Sequence, residues 1–493
     1  MKEMVENLKL RERIVNPEEA ASAIKSGMVV AMGGYTGCGS PKVIPLELIE
    51  RRKKDDTFTI DIISGALLGH EIDDLLVQSG AIRLRSPQTA SKISAELSNS
   101  RAINYVEQQM SKMPRLLKNG AFGKLDVYVI EALSITKEGY IAPTSGVGFA
   151  PTMAELADSV VVEINTAQPA ELHGIHDCFT PGFPPNAVPI PLHYANQRIG
   201  VPFVKLDPDK IKYIVFSDIP DRVDPLRPHN EKTKLITDNL LNFLETEIAK
   251  RGFLPPFQTG IGNLASAIIQ SLGDSNFKDI EFYCGNLLEA SMELIASGKV
   301  KGVSTGSIQI TPNVLKIIRS MRDSLKDILT IRNGEVANSL ETTSRLGIFT
   351  LNGAIEADIY GNVNTTHIAG SKVVNGIGGG PNFAQCSGLS IIMLASDNKD
   401  GKISSIVPMV PHCDIGEHDV DVLITDVGVA DLRGKGEVER ARAIIENCAS
   451  PIYKDLLSDY LDRAIAQTGG HHPVLLKEAF DWHERLSNTG SML

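Results

Sequence analysis

Runs typical of buried β-strands alternate with helix-prone runs along most of this chain, and glycine-rich turns join several of them. In the first half, the strand-like run Met28–Met32 leads through the turn GGYTGCGSPK to the helix-prone run Val43–Arg52. Two further strand-like runs are Lys124–Ile130 and Ser159–Ile164. This alternation is typical of α/β folds, in which crossover helices connect parallel strands. We therefore predict an α/β fold built on open sheets.

Two similar hairpin-forming segments indicate that the halves of the chain are related. The segments ALSITKEGYIAPT (132–144) and AIEADIYGNVNTT (354–366) each place a turn glycine between two β-prone runs. A chain of 493 residues also exceeds what one hydrophobic core usually supports. We therefore predict two related open α/β domains.

The middle of the chain has the composition of a linker, because prolines and charged residues crowd positions 217–232. We predict an N-terminal domain of residues 1–220, a linker of residues 221–232 and a C-terminal domain of residues 233–493. Charged, helix-prone sequence after residue 436 predicts that the chain ends in a helical segment.

Charge and cysteine content disfavour several classes of partner and site. The net charge of −11 disfavours general binding to nucleic acid or to anionic membranes. The six cysteines include no CxxC pair, which is typical of reduced thiols. No run approaches the ~20 apolar residues of a membrane span, and the first residues lack the apolar core of a signal peptide. His173 and His176 lie three residues apart beside Asp177, but the surrounding proline-rich loop has no third ligand at a recognisable spacing. We expect a cytoplasmic protein without a metal site.

Two glycine-rich segments of the second half are suited to binding an anionic group. The stretch Asn352–Ala384 contains seven glycines and ends in GIGGGPNFA, where successive backbone N–H groups can face one oxygen atom. Such a loop fits a phosphate or the oxyanion of an acyl transfer. The segment TGIGNLA (259–265) precedes a helix-prone run, so its backbone N–H groups fit a pyrophosphate.

A dinucleotide-binding fingerprint is the alternative interpretation of the first glycine-rich turn. Gly34, Gly37 and Gly39 are followed about 20 residues later by Asp61, as a ribose-binding acid would be. Their order is GxxGxG, however, whereas the fingerprint requires GxGxxG. We therefore disfavour a Rossmann dehydrogenase.

Short motifs from both halves resemble one family. The second half contains, in this order, TGIGNLA, EADIYGNVNTT, GSKVVNGIGGGPNFA, GKISSIVPMVPH and ADLRG, and the first half contains GGYTGCGSPK, RSP, PTSGVG and GIHD. Together these motifs resemble the acetyl-CoA hydrolase/transferase family of class I CoA-transferases, over nearly the whole chain. The resemblance implies a two-domain α/β protein that acts as a homodimer and moves CoA from an acyl-CoA to a carboxylic acid.

The resemblance also implies a site for CoA. The residues that it places at CoA or its thioester are Gly260, Ile261, Gly262, Asn263, Leu264, Asn375, Gly379 and Lys399. It implies that Asn338 and Gly379 help to form oxyanion holes. In the family, a glutamate attacks the acyl-CoA, and a second acid discharges the glutamyl-CoA thioester that results.

The chain departs from the family at the position of that glutamate. Counting back from Ser297-Gly298-Lys299 places Gly285 there, and glycine has no side chain that can attack. The nearest carboxylate belongs to Glu289, a candidate for a displaced nucleophile, and Cys284 is a second candidate. Asn286 and Glu289 also have the spacing of a capping box, with Asn286 as the N-cap.

Three hypotheses about function therefore stay open. The first is an acyl-CoA:carboxylate CoA-transferase without the glutamyl-CoA intermediate, for example by direct attack of a bound carboxylate on the thioester. Small residues in the loops of the first half indicate a short-chain acid. The second is an acyl-CoA thioesterase in which a water at Gly285 is the nucleophile. The third is a protein that binds CoA or acyl-CoA without catalysis.

Overall fold

The structure, a computed structural model, describes residues 1–89, 91–223 and 228–493. Contacts divide the chain into two compact units. Unit 1 contains residues 1–225 and 281–342, and unit 2 contains residues 226–280 and 343–493. Residues 281–342 thus belong to unit 1. The predicted linker includes residues 224–227, which lie outside the described residues, and the linear domain boundaries remain a prediction.

The strands are short, and most belong to the sheets of the two units. In chain order they are β1 Val29–Met32, β2 Ile60–Ser64, β3 Ile82–Ser86, β4 Asn104–Tyr105, β5 Val127–Ile135, β6 Ile141–Pro143, β7 Ser159–Asn165, β8 His176–Asp177, β9 Ile211–Ser217, β10 Phe257–Thr259, β11 Ile280–Cys284, β12 Val300–Thr305, β13 Leu329–Arg332, β14 Phe349–Gly353, β15 Glu356–Asp358, β16 Val363–Asn364, β17 His367–Ile368, β18 Lys372–Val373, β19 Leu389–Met393, β20 Asp397–Asn398, β21 Ile403–Ser404, β22 Ile406–Val407, β23 Val422–Ile424 and β24 Val429–Asp431.

Helices follow many of these strands. They are α1 Pro17–Ala21, α2 Val43–Lys54, α3 His70–Gln78, α4 Lys92–Asn99, α5 Met113–Lys118, α6 Ala150–Leu156, α7 Glu231–Arg251, α8 Asn263–Asp274, α9 Glu289–Ala296, α10 Pro312–Ser320, α11 Leu325–Ile328, α12 Gly334–Ala337, α13 Leu340–Leu346, α14 Gly380–Cys386, α15 Glu437–Cys448, α16 Pro451–Thr468 and α17 Asp481–Thr489.

Unit 1 is built around an open sheet with the strand order β4-β3-β2-β1-β5-β7-β9. Neighbours along this order are parallel, whereas β6 pairs antiparallel with β5. Alternate residues of β1 and β2, such as Val30, Met32 and Ile60, share a buried core with apolar residues of α1, α2 and α3. Strands β11, β12, β13 and β8 also follow one another as neighbours. The predicted alternation of strands and helices is confirmed.

Unit 2 contains strands in the order β24-β23-β19-β14-β10. These strands are parallel, except that β24 pairs antiparallel with β23. The predicted hairpin forms from β15 and β16, and Gly361 adopts φ 102° in its turn. Because the first-half hairpin also forms, from β5 and β6, both hairpin predictions are confirmed.

The chain ends in helices α15, α16 and α17, as predicted. Trp482 packs on Tyr453 with 5.2 Å between ring centroids, and both belong to the apolar core under these helices. Among the described residues, no helix is both long enough and apolar enough to cross a lipid bilayer.

Candidate active site

Gly285 follows strand β11, and the side that a side chain would occupy faces Tyr35 of the same unit. A Cβ atom at Gly285 would lie 3.6 Å from both Cε1 and Oη of Tyr35. These are ordinary van der Waals distances, so alanine fits here, whereas a longer side chain has to extend past the phenol. Gly285 is half-buried, while its neighbours Cys284 and Asn286 are buried. The position at which the resemblance expects a nucleophile therefore faces an aromatic hydroxyl.

Tyr35 comes from the glycine-rich turn after β1 and joins Gly285 to a predicted oxyanion-hole residue. Its side chain is only 2% exposed, and its ring packs edge-on against Phe149. The Nδ2 group of Asn338 donates a hydrogen bond to the Tyr35 hydroxyl oxygen. Burial raises the pKa of Tyr35 well above its usual value, so the phenol keeps its proton. Asn338 and the backbone of Gly285 thus lie around one neutral hydroxyl group.

Asn286 does not cap helix α9, so the capping-box prediction was wrong. The helix begins at Glu289 with Leu288 as its N-cap and without a side-chain cap. Asn286 Nδ2 instead donates to Ser307 Oγ at 2.9 Å and to the Thr36 hydroxyl. These partners come from distant parts of unit 1 and fix the amide away from the helix. Within the described residues, Asn286 Oδ1 is buried without a hydrogen-bond partner.

The carboxylate of Glu289 takes part in a polar bridge between α9 and α10. Asn313 Nδ2 donates to Glu289 Oε1 at 2.9 Å and to Glu293 Oε1 at 2.8 Å. Across the described parts of the chain, no hydrogen bond or ion pair joins Glu289 to Tyr35 or Asn338. The role of Glu289 as a displaced nucleophile remains a prediction, and these contacts are those of an ordinary helix surface.

Cys284 is a poor candidate for a nucleophile. Burial raises the pKa of its thiol to about 12. The thiol donates a hydrogen bond to Thr305 Oγ1, with 3.7 Å between Sγ and Oγ1. The thiolate is the reactive form of cysteine, and a thiol with this pKa is protonated at neutral pH. We therefore disfavour covalent catalysis by Cys284.

Sequence reasoning missed a buried ionic cluster in unit 1. Lys42 Nζ lies 2.7 Å from Glu131 Oε2 and 2.8 Å from Asp221 Oδ1, and all three side chains are removed from solvent. Glu163 accepts hydrogen bonds from the backbone N–H groups of Lys42 and Val43, at the start of helix α2. The signal was present in the sequence, since Glu131 and Glu163 interrupt strand-like apolar runs. A carboxylate in such a run needs a buried partner.

The pKa values within this cluster diverge. Burial raises the pKa of Glu131 to about 7, against the opposing effect of Lys42. The pKa of Asp221 stays below its usual value despite burial, because Lys42, Ser145 and Gln168 all stabilise its charged form. The cluster therefore holds one carboxylate that titrates near neutral pH.

In unit 2, the two glycine-rich loops predicted to bind CoA meet at Asn352. Cβ atoms at Gly260 and at Gly380 would each lie 3.9 Å from Asn352 Oδ1. Asn352 exchanges two amide hydrogen bonds with Gln258, each of 3.1 Å, which fixes its side chain between the loops. Gly262 is the N-cap of α8 and has φ 92°, a conformation that favours glycine.

The other residues of the first loop lie at the start of α8. Ile261 is 52% exposed, which is unusual for a large apolar side chain, whereas Asn263 and Leu264 are half-buried. Leu264 Cδ2 lies 3.7 Å from a Cβ position at Gly353, so it packs onto the end of β14. The first backbone N–H groups of a helix have no intrahelical acceptors and attract anions. Binding of a phosphate group by this turn remains a prediction.

The remaining predicted CoA residues are also in unit 2. Gly379 is the N-cap of α14. Asn375 is exposed, and its backbone N–H donates a hydrogen bond of 3.3 Å to the carbonyl oxygen of Thr366. Lys399 is exposed in the turn between β20 and β21 and has φ 49°. Of the predicted oxyanion-hole pair, Gly379 thus belongs to unit 2 and Asn338 to unit 1. Their roles remain predictions.

The histidines considered as metal ligands have structural partners. His173 Nε2 lies 2.9 Å from Ser134 Oγ, and His176 Nε2 lies 2.7 Å from the carbonyl oxygen of Thr144. Asp177 pairs with the buried Arg332. Sequence reasoning missed a different group of three residues. One potential ligand atom from each of Glu417, Glu437 and His472 lies within 4.8 Å of the other two. These donor atoms are of the kind that bind divalent metals, but partly exposed groups of this kind are common without a metal.

Family models match both halves of the chain. The model for the acetyl-CoA hydrolase/transferase N-terminal domain matches residues 1–217, and the model for the corresponding C-terminal domain matches residues 316–461.

Curated relatives match over almost the full chain. A succinyl-CoA:acetate CoA-transferase of Clostridium kluyveri is 40% identical, over 99% of this chain and 91% of the relative. A propanoyl-CoA:succinate CoA transferase of Escherichia coli is 37% identical, over 96% and 98%. An acetyl-CoA hydrolase of Candida glabrata is 37% identical, over 100% and 97%.

Solved structures support the fold. RipA from Yersinia pestis aligns with a TM-score of 0.72 at 18% identity, over 92% of this chain and 97% of that one. A 4-hydroxybutyrate CoA-transferase from Porphyromonas gingivalis aligns with a TM-score of 0.65 at 19% identity, over 92% and 98%. At these identities the likeness concerns the fold alone, which is that of CoA-transferases.

Proposed function

Because the chain belongs to the acetyl-CoA hydrolase/transferase family, we propose that it is an acyl-CoA:carboxylate CoA-transferase acting on short-chain acyl-CoA. The relative from Clostridium kluyveri supports this proposal, since it is named as a transferase and is 40% identical over almost the whole chain. CoA-transferases of this family use an acyl-CoA and a carboxylate as substrates, and we propose the same classes for this chain.

One observation supports a reaction route that differs from that of the family: residue 285 is a glycine without a side chain, and it lies beside the Tyr35 hydroxyl. We propose that no glutamyl-CoA intermediate forms and that the acceptor carboxylate itself attacks the thioester. A carboxylate needs no deprotonation, whereas a water molecule needs a general base. Among the described residues, the hydrogen-bond partners of Tyr35, Gly285 and Asn286 include no carboxylate or imidazole. This environment favours an incoming carboxylate over water.

The proposed exchange has two steps. A carboxylate oxygen of the acceptor forms a bond to the thioester carbonyl carbon, the C–S bond breaks, and CoA leaves as the thiolate. The thiolate then attacks the acceptor-derived carbonyl of the mixed anhydride, and the donor acid leaves as a carboxylate. We propose that Asn338 and Gly379 donate hydrogen bonds to the oxyanions of these steps, as the resemblance implies.

The glycine-rich turn before α8 is our proposal for the CoA site. Backbone N–H groups of residues 260–264 would bind phosphate oxygens, and the exposed Ile261 would cover an apolar part of the ligand. Asn375, Gly379 and Lys399 would contact CoA or its thioester. Binding energy from the nucleotide end of CoA can be used to promote reaction at the distant thioester.

Hydrolysis is the second candidate, because several relatives are named acetyl-CoA hydrolases, among them the one from Candida glabrata. Release of free CoA from acetyl-CoA and succinyl-CoA, with and without acetate, propanoate or succinate as acceptor, separates the candidates. Formation of a new acyl-CoA only when an acceptor is present supports transfer. Release of CoA without any acceptor identifies a thioesterase. Binding of CoA without either reaction identifies a non-catalytic binding protein and overturns the proposal.

We further propose that the protein is a homodimer and works in the cytoplasm. The homodimer rests on the resemblance to class I CoA-transferases, and sedimentation equilibrium tests it directly. Support for a reducing compartment comes from the six cysteines, all of which are free thiols in the structure.

A further inference from the structure

The Tyr35 ring occupies a space that two glycines leave open. A Cβ atom at Gly306 would lie 2.9 Å from Tyr35 Cε1, closer than real side chains approach, and one at Gly285 would lie 3.6 Å from the same atom. The Gly306 backbone N–H donates to the carbonyl oxygen of Gly285 at 3.1 Å, which holds the two glycines together. Edge-on contact with Phe149, at 6.5 Å between centroids, fixes the ring from another side. The hydroxyl therefore has a defined position beside residue 285.

The hydrogen of this hydroxyl has no acceptor in the described part of the chain. A phenol both donates and accepts hydrogen bonds, and Asn338 Nδ2 uses the accepting side of the Tyr35 oxygen. The side chain is 2% exposed, so bulk water does not replace the missing acceptor. A buried donor without an acceptor is costly, and such a group needs an explanation such as a ligand.

The surroundings keep this donor neutral. Burial and the nearby Cys284 and Glu335 raise the pKa of Tyr35 well above its usual value, which outweighs the effect of Asn338. The phenol therefore retains its proton across the physiological range of pH. A neutral O–H group pairs well with an ionised oxygen, because such charge-assisted bonds are shorter and stronger than neutral ones.

We infer that Tyr35 binds the acceptor carboxylate and places it over Gly285, so that the acid lies where the family's glutamate side chain would be. This inference rests on the proposed transferase function. One carboxylate oxygen accepts the hydrogen bond from Tyr35 Oη, and the other is left to attack the thioester carbonyl. The absence of a side chain at Gly285 leaves this position open, since, among the described residues other than its chain neighbours, the only atoms within 4 Å of a Cβ there would be Cε1 and Oη of Tyr35, each at 3.6 Å.

The step consumes no external proton or oxidant. The attacking oxygen forms the C–O bond of a mixed anhydride while the C–S bond breaks and the electron pair leaves with the CoA thiolate. Tyr35 donates a hydrogen bond throughout and keeps its proton. Return of the thiolate to the acceptor-derived carbonyl releases the donor acid, again as a carboxylate.

The test compares Tyr35→Phe with Tyr128→Phe, using succinyl-CoA as donor and acetate as acceptor. Tyr128 is the matched control, because it is also fully buried in unit 1 and its hydroxyl has no partner among the described residues. We expect Tyr35→Phe to raise the KM for acetate by at least about tenfold and to leave the KM for succinyl-CoA unchanged. The control should change neither constant. An unchanged KM for acetate in folded Tyr35→Phe would overturn the inference while leaving the transferase function intact.

A second variant keeps the test independent of the folding of Tyr35→Phe. Gly285→Ala adds a methyl group at ordinary contact distance from Tyr35, so the fold accepts it, and the methyl occupies the proposed carboxylate space. We expect a raised KM for acetate here too, with the KM for succinyl-CoA unchanged. An unchanged KM for acetate contradicts the inference. Absence of acceptor-dependent transfer in the wild-type protein instead overturns the proposed function, and the inference with it.

Discussion

Lys42 and Glu131 form an ion pair of 2.7 Å that is completely removed from solvent, and Asp221 lies 2.8 Å from the same ammonium nitrogen. The Lys42 ammonium group thus compensates the charge of two buried carboxylates. Removing one partner of such a cluster leaves charge in a low-dielectric interior without compensation.

We therefore predict that Lys42→Met lowers the free energy of unfolding by about 3–5 kcal/mol, as breaking a buried ion pair does. Urea denaturation followed by circular dichroism measures the change. Lys53→Met is the matched control, because Lys53 pairs with Glu50 at the surface, with both side chains more than half exposed. The control should have almost no effect. Equal stabilities of the two variants would show that the cluster is not a stabilising element.

The raised pKa of Glu131 predicts that the free energy of unfolding depends on pH. Its pKa is raised from 4.5 to about 7 in the folded protein, chiefly by burial, with Lys42, Asp221 and Glu163 as the charged groups that face it. A raised pKa means that the folded state binds this proton more tightly. The contribution of Glu131 to the free energy of unfolding is fully present below pH 4.5, and it is lost as the pH rises through about 7.

The test is the difference in unfolding free energy between wild type and Glu131→Gln across that range. Glutamine does not titrate, so the stability advantage of the wild-type protein over this variant should shrink as the pH rises from 5 towards 8, a range that spans the shifted pKa of about 7. A difference that stays constant or grows with pH is the opposite of what the shift requires.

Gly285→Glu restores a carboxylate at the position that the resemblance assigns to the nucleophile. We predict that this variant forms a glutamyl-CoA thioester, which borohydride reduces and mass spectrometry then locates at residue 285. Its initial-rate plots should be parallel, as for a double-displacement reaction. Gly285→Gln is the control, since it has the same size without a nucleophilic oxygen. If Gly285→Glu gives no adduct, the surroundings of residue 285 differ from the family in more than one side chain.

The proposed CoA site can be tested by replacing Gly262 with alanine and measuring the affinity for CoA. The φ of 92° and ψ of −169° of Gly262 are unfavourable for other residues, so Gly262→Ala strains the turn before α8 by roughly 1–3 kcal/mol. We predict that the Kd for CoA rises by about tenfold, because bound CoA holds the turn in this conformation and a loss of about 1.4 kcal/mol is a factor of ten in affinity. Gly252→Ala is the control, because Gly252 has φ 73° at the end of α7 and lies outside the predicted site. Isothermal titration calorimetry that finds equal affinities for both variants would place CoA elsewhere.

Local sequence patterns were enough to predict much of the fold. The hairpins at 132–144 and 354–366 depend on turn glycines, and helix α2 depends on residues close to it in sequence. All three form as predicted. The capping box at Asn286 failed for the opposite reason. Its side chain is held by Ser307 and Thr36, which are far away in sequence, and a local pattern does not contain such partners.

The candidate site was predictable only in part. The motifs indicated the glycine turn before α8 and its partner loop, and within unit 2 the structure brings these loops together at Asn352. The pairing of Tyr35 with Gly285 was not predictable, because it joins positions 250 residues apart through a contact that depends on a missing side chain. The grouping of residues 281–342 with unit 1 is likewise a product of tertiary contacts.

Direct attack by the acceptor carboxylate is tested most directly by a single turnover with enzyme in excess and an acceptor acid labelled with oxygen-18 in both carboxylate oxygens. Direct attack predicts that the donor acid released in this first turnover contains one labelled oxygen, because the bridging oxygen of the anhydride comes from the acceptor. A covalent intermediate on an enzyme carboxylate would instead leave the label on the protein and release an unlabelled donor acid. That result would contradict direct transfer.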